Sequence, residues 1–197
     1  MLRRSEDIFL EALDADMRSL IGRVLDEIDE SNCDKAWELL SPLVEKKDPV
    51  AIYYASSFGL SAETLDEFER RRMEQLQQSA EHGYAPAIHE LAIHYDSGEL
   101  VPRDSNKAAK LFMQAAEKGH PHAQWIHGLD LLYGQNGMEK DEARGLKYIE
   151  KAAASKFEGA LETMAEFYEV GKYGYPADSE KSNKLTQQIG DDDALAY

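Results

Sequence analysis

Four alanines, Ala51, Ala87, Ala123 and Ala160, recur at spacings of 36, 36 and 37 residues. A small residue returning at such a period marks stacked supersecondary units, each completed by its neighbour because none buries its own apolar face. Five residues after each alanine stands another small side chain: Ser56, Ala92, Gly128 or Ala165. Gly98, Gly134 and Gly171 recur at similar intervals, and Asp104, Asp141 and Asp178 fall 37 apart. The pair Ala115-Ala116 aligns with Ala152-Ala153, with Ser79-Ala80 as an earlier, weaker copy and Ile189-Gly190 as a degenerate last one. The pattern confines the chain to a helical repeat array and predicts a binding surface rather than a catalytic cleft.

Each unit reads as helix, loop, helix, turn. Asp104, Asp141 and Asp178 are placed to accept orphan N–H groups at the start of a second helix. Gly83 and Gly119 fall where a helix end needs a left-handed residue. First helices are expected near 49–60, 85–96, 121–133 and 158–169, and second helices near 64–82, 105–118, 142–155 and 179–189. Small side chains at fixed positions let their axes approach closely.

The four units, 48–83, 83–119, 119–156 and 157–190, make an array over 48–190. Residues 1–47 read as an N-terminal helical cap. Phe9, Leu13, Met17, Leu20, Val24 and Ile28 form an apolar stripe over 5–30, as one helix or two with a break near Gly22, and Ser5 can cap its start. Asp34 is expected to cap a helix running to about Lys46, and Asp48-Pro49 to start the next. Thr186, Gln187 and Gln188 give the last helix the polar outer face of a terminal repeat. Residues 191–197 read as an acidic C-terminal tail.

Acidic residues number 38 against 22 basic ones, a net charge of −16. Residues 1–34 hold ten acids and four bases, and residues 158–197 nine acids and three bases. Such a field disfavours nucleic acid and anionic membranes and favours a basic protein partner. No stretch approaches the roughly 18 apolar residues of a membrane helix, and acids interrupt the N-terminus too early for a signal peptide, so a cytoplasmic location is expected. The lone Cys33 excludes an internal disulfide framework and is expected to act as a small hydrophobe. All six histidines lie between His82 and His127 at spacings that fit no helix-borne metal pair, and they read as loop and surface residues. Arg70-Arg71-Arg72, flanked by Glu67, Glu69 and Glu74, reads as a salt-bridged helix face. No phosphate loop or nucleophile elbow is present, so neither a cofactor, a metal nor a catalytic residue is expected.

These residues resemble the Sel1-like repeat, a relative of the tetratricopeptide repeat. Residues 83–119 carry its pattern most fully, at Ala87, Leu91, Ala92, Tyr95, Gly98, Val101, Asp104, Lys107-Ala108, Ala115-Ala116 and Gly119. Residues 119–156 depart from it at His127 and Leu131, where the pattern has Leu and Tyr, and residues 48–83 lack its loop signature. The resemblance implies an all-α, right-handed α-α superhelix, a solenoid of stacked helix-turn-helix units that mediates protein–protein contact.

In related solenoids the side of each first helix opposite the repeat residues lines a concave groove. Adding the repeat period places Tyr53, Tyr54, Phe58, His89, Glu90, Ile93, Trp125, Leu129, Asp130, Glu162, Glu166 and Phe167 there. Aromatic anchors among acids suit an apolar, positively charged segment. The chain therefore reads as a non-catalytic adaptor or regulator. The alternative is an immunity-type protein neutralising a basic toxin, and a hydrolase is the weaker third reading.

Overall fold

The computed structural model describes residues 4–193, and among them every regular element is an α-helix. In order these are α1 (Arg4–Glu11), α2 (Ala15–Asp29), α3 (Cys33–Glu45), α4 (Pro49–Ala55), α5 (Leu65–Glu81), α6 (Ala85–Ser97), α7 (Ser105–Glu117), α8 (Pro121–Tyr133), α9 (Glu142–Ala154), α10 (Glu158–Val170) and α11 (Ser179–Asp193). The fold class is all-α, as the repeat pattern predicts. The chain forms two compact units, Met1–Leu111 and Phe112–Tyr197, divided within α7.

The helix starts follow from short polar side chains. Asp48 Oδ1 accepts from the N–H groups of Val50 and Ala51 at 3.0 Å each, with Pro49 pre-set at the first helical position. Asp104, Asp141 and Asp178 each accept from the third residue on, at 2.9, 3.0 and 3.0 Å. Thr64 and Glu67 form a reciprocal capping box at the head of α5. Gly83 and Gly119 take φ of 85° and 91°, the left-handed conformation that ends α5 and α7.

The unit Met1–Leu111 packs α2 and α3 onto α4 and α5, with Ile21, Val24, Ala36, Leu40, Ala51, Tyr54 and Leu76 at its centre. In the unit Phe112–Tyr197, α8 and α9 pair closely, and α10 and α11 follow around Leu132, Ile149, Ala152, Ala160, Leu161 and Phe167. The four marker alanines share one environment: each is the third residue of its helix and 0% exposed. Gly128 and Gly145 set the α8–α9 crossing. A Cβ on Gly145 would lie 2.7 Å from the Gly128 carbonyl oxygen and 2.8 Å from the Leu132 nitrogen.

Several expectations are corrected. The N-terminal helix breaks at 12–14, where Asp14 caps α2, and Gly22 lies inside that helix. The side chains of Ser5 to Asp7 lie outside the description. Asp34 does not cap α3, whose N-cap is Asn32; it accepts the Ser61 N–H at 3.1 Å, and the Ser61 side chain, followed by that N–H, holds its carboxyl below the usual range. The first repeat helix stops at Ala55 instead of running to 60, where the Ser56 and Ser57 hydroxyls take the Tyr53 and Tyr54 carbonyls and Arg71 takes that of Ala55. The Arg71 guanidinium donates to Ala55 O at 2.8 Å, Phe58 O at 2.7 Å and Gln75 Oε1 at 2.8 Å, and grips both Glu63 oxygens at 2.6 and 2.9 Å. Arg72 pairs with Glu90. These two arginines are salt-bridged, as expected, but to Glu63 and Glu90 outside α5 instead of the flanking Glu67, Glu69 and Glu74. Residues 191–193, read as tail, continue α11, while 194–197 lie outside the described residues. Four histidines read as surface residues are buried: His89, His94, His120 and His127.

Candidate functional site

In the unit Met1–Leu111 the proposed groove residues are mostly interior. Tyr53, Tyr54, Phe58 and His89 are buried. Their cover is partly the N-terminal segment, since Phe9 meets Tyr84 edge-on at 6.3 Å and Tyr84 meets Tyr53 at 5.2 Å. Helix α6 is buried on more than one side, at Ala85, Pro86, Ala87, Ile88, His89, Leu91, Ala92 and His94. A single-face reading therefore misplaces His89. Ile93 is half-buried, and the half-buried Glu90 is committed to Arg72. Burial, followed by the Arg72 charge, pulls the His94 imidazole below its ordinary range. A groove of about 390 Å³ on this unit is lined by Asp66, Glu69, Arg70, Met73, Glu74, Gln77, Leu100 and Val101.

The unit Phe112–Tyr197 keeps the other part of the set accessible. Trp125, Leu129 and Tyr133 stand one turn apart along α8; the first two are half-buried and Tyr133 is 49% exposed. On α10, Glu158, Glu162 and Glu166 stand at the same spacing, all exposed. Two members of the expected set turn inward. Phe167 packs against Tyr173 at 4.9 Å and Tyr175 at 5.9 Å, both from the loop after α10. Asp130 is buried and accepts from Asn136 Nδ2 at 2.8 Å. Neither inversion is visible in the helical period, because both are made by loops that follow it.

The Trp125 indole is fixed from three sides. Its Nε1–H donates to Thr163 Oγ1 at 2.9 Å, and the Thr163 hydroxyl donates to Gly159 O at 2.6 Å. A Cβ on Gly159 would stand 3.2 Å from the indole Cε2 and Cζ2, so the missing side chain admits the ring. His122 stacks on Trp125 at 5.8 Å and on Phe157 at 5.0 Å, and Trp125 and Phe157 are 5.6 Å apart. Thr163 falls on the face that the repeat period marks, but His122, Phe157 and Gly159 were not singled out from the sequence for this site. Period arithmetic finds residues on one face, whereas these belong to a helix start and the preceding turn.

Beside this cluster, Lys172 Nζ lies 2.9 Å from Glu166 Oε1. Burial and then a hydrogen bond with Tyr173 push the Tyr133 phenol up. Behind the face, His127 fills the buried position where the repeat pattern has Leu, edge-on to Tyr148 at 4.9 Å, and burial lowers its pKa. His120 is 0% exposed, caps α8 weakly through Nδ1 at 3.4 Å from the Ala123 nitrogen, and is pulled down to about 3 by burial and then by the His122 charge. Among the described residues no three His, Cys, Asp or Glu side chains gather as a metal site, and no helix is long and apolar enough to cross a membrane. Cys33 is half-buried against the core of its unit.

A model of the Sel1 repeat matches residues 85–120, 121–157 and 160–191. Over 123 residues the chain is 29% identical to the chitin synthase regulator SKT5 of Saccharomyces cerevisiae (strain ATCC 204508 / S288c), covering 60% of this chain and 17% of that protein. It thus spans under a fifth of that relative. Among solved structures it resembles c5321, a protective antigen of uropathogenic Escherichia coli strains with an SLR fold (TM-score 0.64, 26% identity, 79% of this chain and 33% of that one). It also shares its fold with a Sel1 repeat protein from Oxalobacter formigenes (TM-score 0.68, 22% identity, 86% and 67% covered).

Proposed function

Because the chain belongs to the Sel1 repeat family, whose members are generally protein-interaction modules, we propose that it is a non-catalytic adaptor or regulator that docks a segment of a partner protein on the α8–α10 face. The observation that carries the reading is the pairing of two columns. Trp125, Leu129 and Tyr133 offer an apolar stripe, and Glu158, Glu162 and Glu166 offer a carboxylate stripe with the same 5.4 Å-per-turn pitch expected of a helix, about one side chain per turn. An apolar segment with basic side chains complements both. Interfaces of this kind draw most of their affinity from a few aromatic anchors. Trp125 suits that role because its orientation is already fixed, so little rotamer entropy is lost on docking.

The yeast relative's name as a chitin synthase regulator favours a regulatory form of the reading without fixing the target. The charge of −16 favours a basic partner and keeps open an immunity-type form, neutralisation of a basic toxin. Nanomolar, strongly salt-dependent binding of a whole basic protein would indicate that form, and micromolar binding of a short segment would indicate an adaptor.

The test is affinity capture from the native cell with the full chain, beside Leu129→Asp and Glu162→Lys. Each variant is first checked for an unchanged helical circular dichroism melt. Loss of the same captured protein in both variants is expected; its retention in both would move the docking face elsewhere.

A further inference from the structure

We infer that the Trp125 platform receives an arginine side chain, its guanidinium stacked on the half-exposed indole and paired with the carboxylates of Glu158 and Glu162. This rests on the docking reading above and names the chemistry of its central contact.

Three observations converge. The first is the carboxylate column. Like charges at i, i+4 weaken a helix by a few tenths of a kcal/mol per pair, yet α10 carries Glu158, Glu162 and Glu166 in that register. Among the described residues only Glu166 has an ion-pair partner, Lys172. The second is that Thr163, which hydrogen-bonds the indole nitrogen, directly follows Glu162, and Gly159, which lies against the indole ring, directly follows Glu158, so both glutamates belong to the turns of α10 that meet the aromatic cluster. The third is the rigidity of the rings, fixed by the Thr163 hydrogen bond, the Gly159 backbone and the His122–Phe157 stack.

An apolar partner side chain alone would cover the indole while taking unpaired carboxylates out of water, which is costly. An acidic one would be repelled. A cation satisfies the ring and the carboxylates together. Arginine fits better than lysine because its planar, weakly hydrated guanidinium stacks on an aromatic face and still directs N–H donors sideways to carboxylates.

The probes are three peptides on one scaffold, acetyl-Leu-Xaa-Leu-Xaa-amide, with Xaa as arginine, lysine or citrulline. Citrulline keeps the planar shape and removes the charge. They are titrated into the full chain carrying Trp37→Phe, so that Trp125 is the fluorescent reporter, at about pH 8 where ordinary imidazoles are neutral. The arginine peptide is expected to perturb Trp125 emission and to bind about tenfold more tightly than the citrulline peptide, with lysine between them. In Glu158→Gln/Glu162→Gln that preference falls to about twofold or less, with the melting curve unchanged. Equal binding of arginine and citrulline peptides, no binding of either, or a preference that survives the double variant would overturn the platform. If the platform fails while Leu129→Asp still abolishes capture of the native partner, the docking face stands without it. If capture also persists, both fail.

Discussion

Arg71 is the residue on which the first repeat hairpin closes. Its guanidinium, with a side chain 17% exposed, satisfies two main-chain carbonyls left open by the early end of α4 and holds Glu63 in a two-oxygen grip. It also lies over Trp37 and Phe68, 5.7 and 5.6 Å from their ring centroids. Lysine offers one charge point and no planar fork. Arg71→Lys is therefore expected to cost about 2–4 kcal/mol in urea unfolding, although charge is conserved; a loss within 0.5 kcal/mol, on the order of a surface substitution, would contradict this account. His120 makes a second prediction, with the sign set by its lowered pKa. The imidazole is neutral when folded and takes a proton near its ordinary value, about 6.5, when unfolded. Its contribution is whole above that value and is lost as pH falls through it toward about 3. His94 and His127 act in the same direction. Glu63, held below the usual carboxylate range by Arg71, loses its contribution only in stronger acid. His120→Asn keeps a capping acceptor and removes the titration. Between about pH 7 and pH 5 the variant should lose less stability than the parent chain, by up to about 2 kcal/mol, read from denaturant midpoints at the two values.

At the scale of the helix, the sequence was most legible where one local rule decides the outcome. The aspartates at 104, 141 and 178 cap helices because a carboxylate three residues upstream of a free N–H needs nothing else. The alanines at 51, 87, 123 and 160 are core because their period is that of the unit. Exposure of the inner helices was not legible. Tyr53 and Tyr54 lie in the core that the N-terminal helices help to build, and Phe167 is covered by a loop; neither cover bears a periodic relation to the helix beneath it. Glycines mark the same division. Gly128 stands out by register, but Gly145, its opposite number on α9, is known only from the crossing. Alanine at 145 would gain up to about 1 kcal/mol of helix propensity, yet its Cβ meets the Gly128 carbonyl and the Leu132 backbone, which move only if α8 moves. Gly145→Ala should therefore lose about 1–3 kcal/mol net. Gly22, inside α2 with nothing within 4 Å of a built Cβ, should gain up to about 1 kcal/mol on the same change. Opposite signs from one chemical substitution, measured by thermal or urea melts, test whether close approach governs the hairpin.

At the scale of the whole chain, charge acts in two separable ways. The acid excess of residues 1–34 and 158–197 contributes a long-range field, while Glu158 and Glu162 belong to the proposed docking contact. A long-range field raises the encounter rate of a basic partner and is screened within about 10 Å at 0.1 M salt. A buried, partnered carboxylate instead governs how long the complex lasts. Neutralising Asp26, Asp29 and Glu30 together should slow association severalfold at low salt and leave dissociation unchanged. Glu162→Gln should speed dissociation by about tenfold with little effect on association. Surface plasmon resonance with the captured partner at low and physiological ionic strength separates the two. Faster dissociation on neutralising the N-terminal trio would mean that the partner touches α2, and the interface would then extend to the N-terminal helices instead of resting on α8 and α10.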